Sequence, residues 1–184
     1  MQPRVLKPSE VTRLLDSPDR RTRHGHRDRA FLALLALGGL RIREACDLRR
    51  DSITRDGSTR ITFVGKCAKL RTVTLPRVAA EAVDAALAQH DGPYILGGAA
   101  PWPTRTARRV AQRYFDACGF EAWVHPHSLR HTCATTLLRA TNGDMRTVQR
   151  TLGHTSPQTT ARYYDGWDSR DSDRAAAALD EVFA

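Results

Sequence analysis

An uninterrupted apolar run, AFLALLALGGL over residues 30–40, most constrains the fold of this chain. It lies between Arg29 and Arg41 and is too short to cross the hydrocarbon core of a membrane. We predict an apolar helix over about Asp28–Leu37. Because glycine is a poor helix former, the pair at the end of the run predicts a break before a second short helix over 42–48.

The length of 184 residues is enough for one domain with a core. Hydrophobic residues make up 41% and charged residues 27% of the chain, which argues against a disordered chain or a fibrous repeat. The first residues lack the apolar stretch of a secretory signal. We therefore expect a cytoplasmic protein that does not bind a membrane.

The balance of charge is strongly basic, with 29 lysines and arginines against 20 aspartates and glutamates, a net charge of +9. This favours an anionic partner such as nucleic acid. Only three of the cations are lysines, so genomic base composition can contribute to the excess of arginine. The four cysteines form no C-x-x-C pair, which favours neither a zinc site nor a disulfide framework.

The remaining pattern predicts a mainly helical α+β domain with one small sheet. Residues 59–64 and 72–75 are prone to form strands and predict a hairpin with a basic tip at 65–71. Residues 19–26, charged and without aliphatic side chains, predict a solvated loop. A short helix capped by Ser9 ends near residue 17. Further helices are predicted at 76–89, 104–118, 126–140, 145–152, 157–164 and 171–183.

Two pairs of residues at a spacing of three suit phosphate chemistry. Arg41 and Glu44 share one helix face, as do His127 and Arg130. Two converging guanidiniums can bind a phosphate and stabilise the charge that builds on its oxygens during phosphoryl transfer. In the ordinary interpretation, Arg41 is a solvated cap and Glu44 is its salt-bridge partner.

A nucleophile and an acid complete the set. A tyrosine hydroxyl can attack phosphorus covalently, and Tyr163 and Tyr164 lie close to the C-terminus. Spacing does not choose between them, because successive helical positions point about 100° apart. Lys66, in the predicted hairpin, can act as the acid.

Five motifs occur in order: G-L-R-x-x-E at 39–44, G-K at 65–66, H-x-x-R-H at 127–131, L-G-H at 152–154, and Tyr163. Together they closely resemble the catalytic domain of the tyrosine recombinases, the phage integrase family. The resemblance implies a helical domain whose small antiparallel sheet carries the catalytic lysine. It also implies cleavage and rejoining of double-stranded DNA through a 3′-phosphotyrosyl bond, without metal or cofactor.

The resemblance also implies a role for each residue. Arg41 and Arg130 hold the non-bridging phosphate oxygens. His127 assists the tyrosine proton or donates to the phosphate, and His154 adds a hydrogen bond. Glu44 orients its neighbours.

The nucleophile of the family corresponds to Tyr163 rather than Tyr164. Its acid corresponds to Lys66, although Cys67 replaces a glycine that is frequent in the family, so Lys69 stays an alternative. Candidate contacts to DNA phosphates are Lys69, Arg71 and Arg43.

Other interpretations remain open. His127 and His131 are four residues apart and suit a metal, but no H-E-x-x-H pattern accompanies them. Alternatives to recombination are a type IB topoisomerase, a DNA-binding regulator with a degenerate site, and a metal-dependent nuclease.

For the chain as a whole, we predict one catalytic domain over 1–184, without the N-terminal DNA-clamping domain usual in the family. It is either an excised domain or a minimal enzyme. Its C-terminal helix, about 169–184, packs on its own domain or on a neighbouring protomer. The expected assembly is a homotetramer on synapsed DNA and a monomer when free.

Overall fold

A computed structural model of the protein describes residues 4–65 and 70–153. These residues form seven α-helices, one short 3-10 helix (Arg50–Ser52) and a three-stranded antiparallel sheet. The helices are α1 (Pro8–Asp16), α2 (Arg23–Ala36), α3 (Ile42–Cys46), α4 (Arg77–Leu87), α5 (Thr104–Ala117), α6 (Pro126–Ala140) and α7 (Met145–Leu152). The strands are β1 (Ile53–Asp56), β2 (Ser58–Val64) and β3 (Leu70–Thr74). The predicted mainly helical α+β class is confirmed.

The apolar run forms the centre of the core. Residues 30–36 of α2 are each at most 3% exposed, and the helix contacts α1, α3, α4, α5 and α6. A helix that is apolar all round is stable only when neighbours cover every face. The predicted helix is therefore confirmed, and its surroundings explain why the run has no polar side.

The predicted loop at 19–26 is wrong over its second half, because α2 begins at Arg23. Thr22 caps the helix, and its hydroxyl accepts a hydrogen bond from the main-chain nitrogen of Gly25 at 3.0 Å. Such a cap satisfies an amide that the first turn leaves without a partner. Arg23 therefore lies on the first turn of a helix, whereas Asp19, Arg20 and Arg21 precede its cap.

Helix α1 also begins earlier than predicted, at Pro8, so Ser9 is not its cap. The main-chain nitrogen of Lys7 donates to the Glu10 carboxylate at 2.8 Å. Pro8 suits the first helical position because the missing N–H has no partner there.

The sheet has the strand order β1-β2-β3. The predicted hairpin is present, with Thr62 opposite Thr72 and Val64 opposite Leu70. Strand β1 was not predicted, since its sequence ITRD contains only one apolar residue, Ile53. The three residues that follow Ile53 in the strand are all exposed. Pairing with β2 rather than side-chain pattern makes this segment a strand.

Helices α6 and α7 have the predicted bounds, and α3 stops two residues early, at Cys46. A second, smaller apolar cluster joins α6 to α7 and includes Cys133, Leu138, Val148 and Leu152. The predicted helices at 157–164 and 171–183 lie outside the described residues. No helix in the described ranges is long and apolar enough to cross a membrane.

Candidate active site

Glu44 lies at the centre of a group of arginines that we call the Glu44 cluster: Arg41, Glu44, Arg71 and Arg130. Its carboxylate accepts from the main-chain nitrogen of Arg41 at 2.8 Å and from the Arg41 guanidinium at 2.6 Å. Nη1 of Arg71 lies 3.2 Å from Oε2, and Nη1 of Arg130 lies 3.9 Å from the same oxygen. The predicted pairing of Arg41 with Glu44 is therefore part of a larger network.

The charges of this cluster do not cancel. Three guanidiniums surround one carboxylate, so the four residues keep a net positive charge. Burial raises the pKa of Glu44. The hydrogen bonds and charge of Arg41, together with the charge of Arg71, lower it by more than burial raises it, so the net pKa lies below its usual value. The carboxylate is therefore ionised at neutral pH and leaves a surplus of positive charge for an anion.

Arg130 is 1% exposed and is among the largest fully buried side chains of the described chain. Its guanidinium donates to the main-chain oxygen of Gly39, in the turn between α2 and α3, and to that of Leu152 at 2.6 Å. Two carbonyl oxygens from distant parts of the chain thus orient this guanidinium. The same residue lines an open cleft.

That cleft, of about 490 Å³, contains three of the predicted catalytic residues: Arg41, His127 and Arg130. They come from α6 and from the residue preceding α3, which are separated by more than 80 positions in the sequence. Arg108 and Gln112, one turn apart on α5, line another wall of this cleft. The sequence analysis missed this pair. The only feature of the sequence that could have indicated it is the spacing of four residues, which places both side chains on the same face of a helix.

His127 is exposed at the mouth of the cleft, and its ring stacks on that of His125 with centroids 6.2 Å apart. Partial desolvation of the ring, together with the charges of Arg130, His125 and Arg41, lowers the pKa of His127. The neutral imidazole therefore predominates at pH 7, which is the form that accepts a proton.

A second, larger cleft of about 840 Å³ lies between α3 and the sheet and shares Arg41 with the first. Arg43 and the hairpin residues Val64, Gly65 and Leu70 line it. Val64 and Leu70 are 65% and 73% exposed, although both are apolar. The cleft therefore extends from Arg41 to the base of the basic hairpin tip.

Arg71, one of the candidate contacts to a DNA phosphate, is buried rather than exposed on the hairpin. The residue is 8% exposed, and its guanidinium binds Glu44 and the main-chain oxygen of Thr151. Burial lowers its pKa to about 10, and the charge of Glu44 opposes this shift, so the group stays charged at pH 7. Arg130 is equally buried but lines the smaller cleft, whereas Arg71 lines neither of the two clefts and its guanidinium faces protein groups.

Arg43, in contrast, is exposed on α3, with its Nε 3.6 Å from the Asp47 carboxylate. His131 is 8% exposed and packs within the fold. Of the other predicted site residues, Lys66, Lys69, His154 and Tyr163 lie outside the described residues, as do Cys67 and Tyr164. Across residues 4–65 and 70–153, no group of three His, Cys, Asp or Glu side chains could hold a metal ion.

An arginine cluster that opens on a histidine-lined cleft defines a site for an anion with several oxygens, such as a phosphate. The model of the phage integrase family matches residues 4–170. The chain belongs to this family.

The chain is also similar in sequence to curated tyrosine recombinases. A tyrosine recombinase XerC of Myxococcus xanthus is 36% identical over 174 residues, which cover 88% of this chain and 57% of that protein. A tyrosine recombinase XerA of Thermococcus kodakarensis is 35% identical over 170 residues, with the same coverage of 88% and 57%. The chain thus spans 57% of the length of each of these two relatives.

Solved structures share the fold. A crystal structure of XerA recombinase has a TM-score of 0.78 at 26% identity, covering 97% of this chain and 66% of that one. A post-cleavage complex of the XerH site-specific recombinase with a palindromic difH substrate has a TM-score of 0.80 at 23% identity, covering 96% and 53%. The domain therefore has the fold of tyrosine recombinase structures.

Proposed function

We propose that residues 1–184 are the catalytic domain of a tyrosine-type site-specific recombinase or integrase. The observation that carries the proposal is the convergence of Arg41, His127 and Arg130 on one cleft beside a cluster with surplus positive charge. Such a site suits the pentacoordinate phosphorus of a phosphodiester during transfer, where negative charge spreads over the non-bridging oxygens. Membership of the phage integrase family supports the same chemistry.

The reaction consists of two transesterifications. The Tyr163 hydroxyl attacks the scissile phosphorus, its proton passes to a base, and the 5′-oxygen leaves with a proton from an acid. The products are a 3′-phosphotyrosyl ester and a 5′-hydroxyl. Attack by a 5′-hydroxyl on that ester reforms the DNA and releases the tyrosine, so the phosphodiester count is unchanged and no energy source is needed.

The residues of the cleft stabilise this transfer. Arg41 and Arg130 hold the non-bridging oxygens, and the orientation of Arg130 is set by the carbonyls of Gly39 and Leu152. Neutral His127 accepts the tyrosine proton or donates to the phosphate. Glu44 is a positioning residue that holds Arg41 through its main chain and its guanidinium.

The remaining roles follow the family pattern. Lys66 protonates the leaving 5′-oxygen, with Lys69 as the alternative, and His154 donates a further hydrogen bond. Arg43, exposed beside the larger cleft, contacts a DNA phosphate, as Lys69 does from the hairpin tip. The partner is double-stranded DNA, bound by a monomer that forms a homotetramer on synapsed duplexes in the cytoplasm, with the helix at about 169–184 docking in trans.

The test is covalent capture on nicked duplex DNA with a randomised central region, resolved on denaturing gels with EDTA present. The wild-type chain should form a protein–DNA adduct, Tyr163→Phe should not, and Tyr164→Phe serves as the matched control. Arg41→Ala should slow adduct formation by about 10³-fold. An adduct that survives Tyr163→Phe but not Tyr164→Phe would move the nucleophile by one residue.

Absence of any adduct in the wild type, with DNA binding intact, would overturn the enzymatic proposal in favour of a DNA-binding regulator. Transfer of the captured strand to a second labelled duplex separates recombination from nicking and resealing on one duplex. A cleavage product that is lost in EDTA would instead indicate a metal-dependent nuclease.

A further inference from the structure

Arg71 joins two elements that are far apart in the sequence. It projects from β3, its Nε donates to the main-chain oxygen of Thr151 in the last turn of α7 at 3.1 Å, and its Nη2 donates to the same oxygen. Its Nη1 is directed to Glu44 at 3.2 Å, and the guanidinium carbon lies 5.3 Å from the centre of the Phe63 ring. A planar guanidinium supplies these donors in one rigid arrangement.

The end of α7 is shaped to receive this guanidinium. Gly153, the residue after the helix, has the left-handed conformation with φ of 62°. A Cβ atom at this position would lie 2.8 Å from Cδ and 3.1 Å from Nε of Arg71. Glycine at 153 therefore permits both the backbone conformation and the close approach of the arginine.

Two arginines donate hydrogen bonds to successive main-chain carbonyl oxygens at the C-terminus of α7. Arg71 binds the oxygen of Thr151, and Arg130 binds the oxygen of Leu152. The last carbonyls of a helix lack partners within the helix, and its C-terminus attracts cations. The helix end is thus held against the Glu44 cluster by two buried positive charges.

We propose that Arg71 is a positioning residue that fixes the C-terminal turn of α7 relative to the cleft of Arg41 and Arg130. The chain continues from this turn directly into His154, and Tyr163 follows nine residues later. Arg71 thereby sets the point from which the segment with the nucleophile begins. Its anchoring role stands on the contacts above, whereas its consequence for DNA cleavage rests on the proposed function.

The anchoring is tested by hydrogen–deuterium exchange of the free chain. Arg71→Met keeps most of the stem and removes the guanidinium, and Arg55→Met is the matched control, since Arg55 lies on the same sheet and pairs with Asp84 at the surface. In Arg71→Met we expect the amides of the last turn of α7 to be accelerated at least about tenfold more than those of α2, which report any global loss of stability. Arg55→Met should match the wild type throughout.

The catalytic consequence is tested by separating DNA affinity from the rate of adduct formation at saturating DNA. A misplaced reacting group costs about 10²-fold in rate, so Arg71→Met should lose roughly that factor while its Kd for the same duplex stays within about threefold. Arg71→Lys, with one ammonium in place of the fork, should recover part of the rate. Equal acceleration of exchange in α2 and α7 would indicate general destabilisation only and would overturn the local anchoring.

The outcomes separate the two proposals. Unchanged exchange at the end of α7 in Arg71→Met would overturn the anchoring, whatever the chain does to DNA. Faster exchange at α7 with an unchanged cleavage rate would overturn the positioning role. If the wild type forms no adduct, the proposed function fails, while the exchange experiment still decides whether Arg71 holds α7.

Discussion

The carboxylate of Glu44 lies 3.2 Å from the guanidinium of Arg71, and both side chains are more than nine-tenths buried. Removing two charges from water is costly, and their attraction compensates only when further hydrogen bonds complete the geometry. Here Arg41 supplies two of those hydrogen bonds to Glu44, and Thr151 accepts from Arg71. The pair therefore ties strand β3, the start of α3 and the end of α7 to one point.

Glu44→Gln should destabilise the fold in a pH-dependent way. Removing one partner of a buried ion pair costs about 3 kcal/mol, and we expect a loss of that order at pH 7. Because the folded pKa of Glu44 is lowered, its contribution is present above the ordinary value of 4.5 and is lost as the pH falls through the folded pKa. Urea unfolding from pH 7 to 3 should show the difference from wild type shrinking.

Glu81→Gln is the control for this experiment, since Glu81 is exposed and pairs with Arg77 at a spacing of four. Its effect on the free energy of unfolding should stay below about 0.5 kcal/mol at pH 7. A Glu44→Gln difference that is the same at every pH would contradict the role of the carboxylate charge.

Gly39→Ala should be more damaging than the strain of its backbone alone explains. Gly39 has φ of 62°, and a Cβ there would lie 2.5 Å from Cδ2 of Leu152. Gly57 has φ of 63° and nothing within 4 Å of such an atom, so Gly57→Ala measures the strain without the clash. We expect Gly39→Ala to lose about 1 to 3 kcal/mol more than Gly57→Ala in urea unfolding. Equal losses would show that α7 moves aside at no cost.

The rate of adduct formation should fall in acid through His127. Its pKa is lowered, so the neutral ring predominates at pH 7 and is lost only as the pH falls below the ordinary value of 6.5. Single-turnover rates should decline below that value and should lose this dependence in His127→Gln. His24→Gln, a change at an exposed histidine of α2, should keep the wild-type profile. A decline that persists in His127→Gln would assign it to another group.

Arg43→Ala should weaken DNA binding without changing its sequence preference. The Arg43 side chain is 85% exposed and only loosely paired with Asp47, so it can exchange that partner for a phosphate. The slope of log K against log salt should fall in magnitude by about 1. Arg77→Ala is the control, because Arg77 is 83% exposed and has a similar acidic partner on α4. Equal salt slopes for Arg43→Ala and the wild type would remove Arg43 from the interface.

Much of the helical framework follows from local pattern. The bounds of α6 and α7 agree with the prediction because proline, Asp144 and Gly153 mark their ends within a few residues of each helix. Strand β1 and the first turn of α2 could not be predicted from local sequence pattern. The strand depends on pairing with β2, and the helix start depends on one hydrogen bond of Thr22 within a charged stretch.

Some features of the candidate site could likewise be predicted from local pattern, and others could not. Spacing alone placed Arg41 beside Glu44 and His127 beside Arg130. His127 and Arg130 share a face of α6, whereas Arg41 precedes α3 and meets Glu44 through the capping contact at the start of that helix. Only the tertiary structure revealed that Arg71 is buried, that Arg130 binds the carbonyls of Gly39 and Leu152, and that these contacts meet at the end of α7. Arg71 and Thr151 are 80 residues apart, and what a side chain at such a distance touches is decided by how the helices and sheet pack, not by the residues on either side of it.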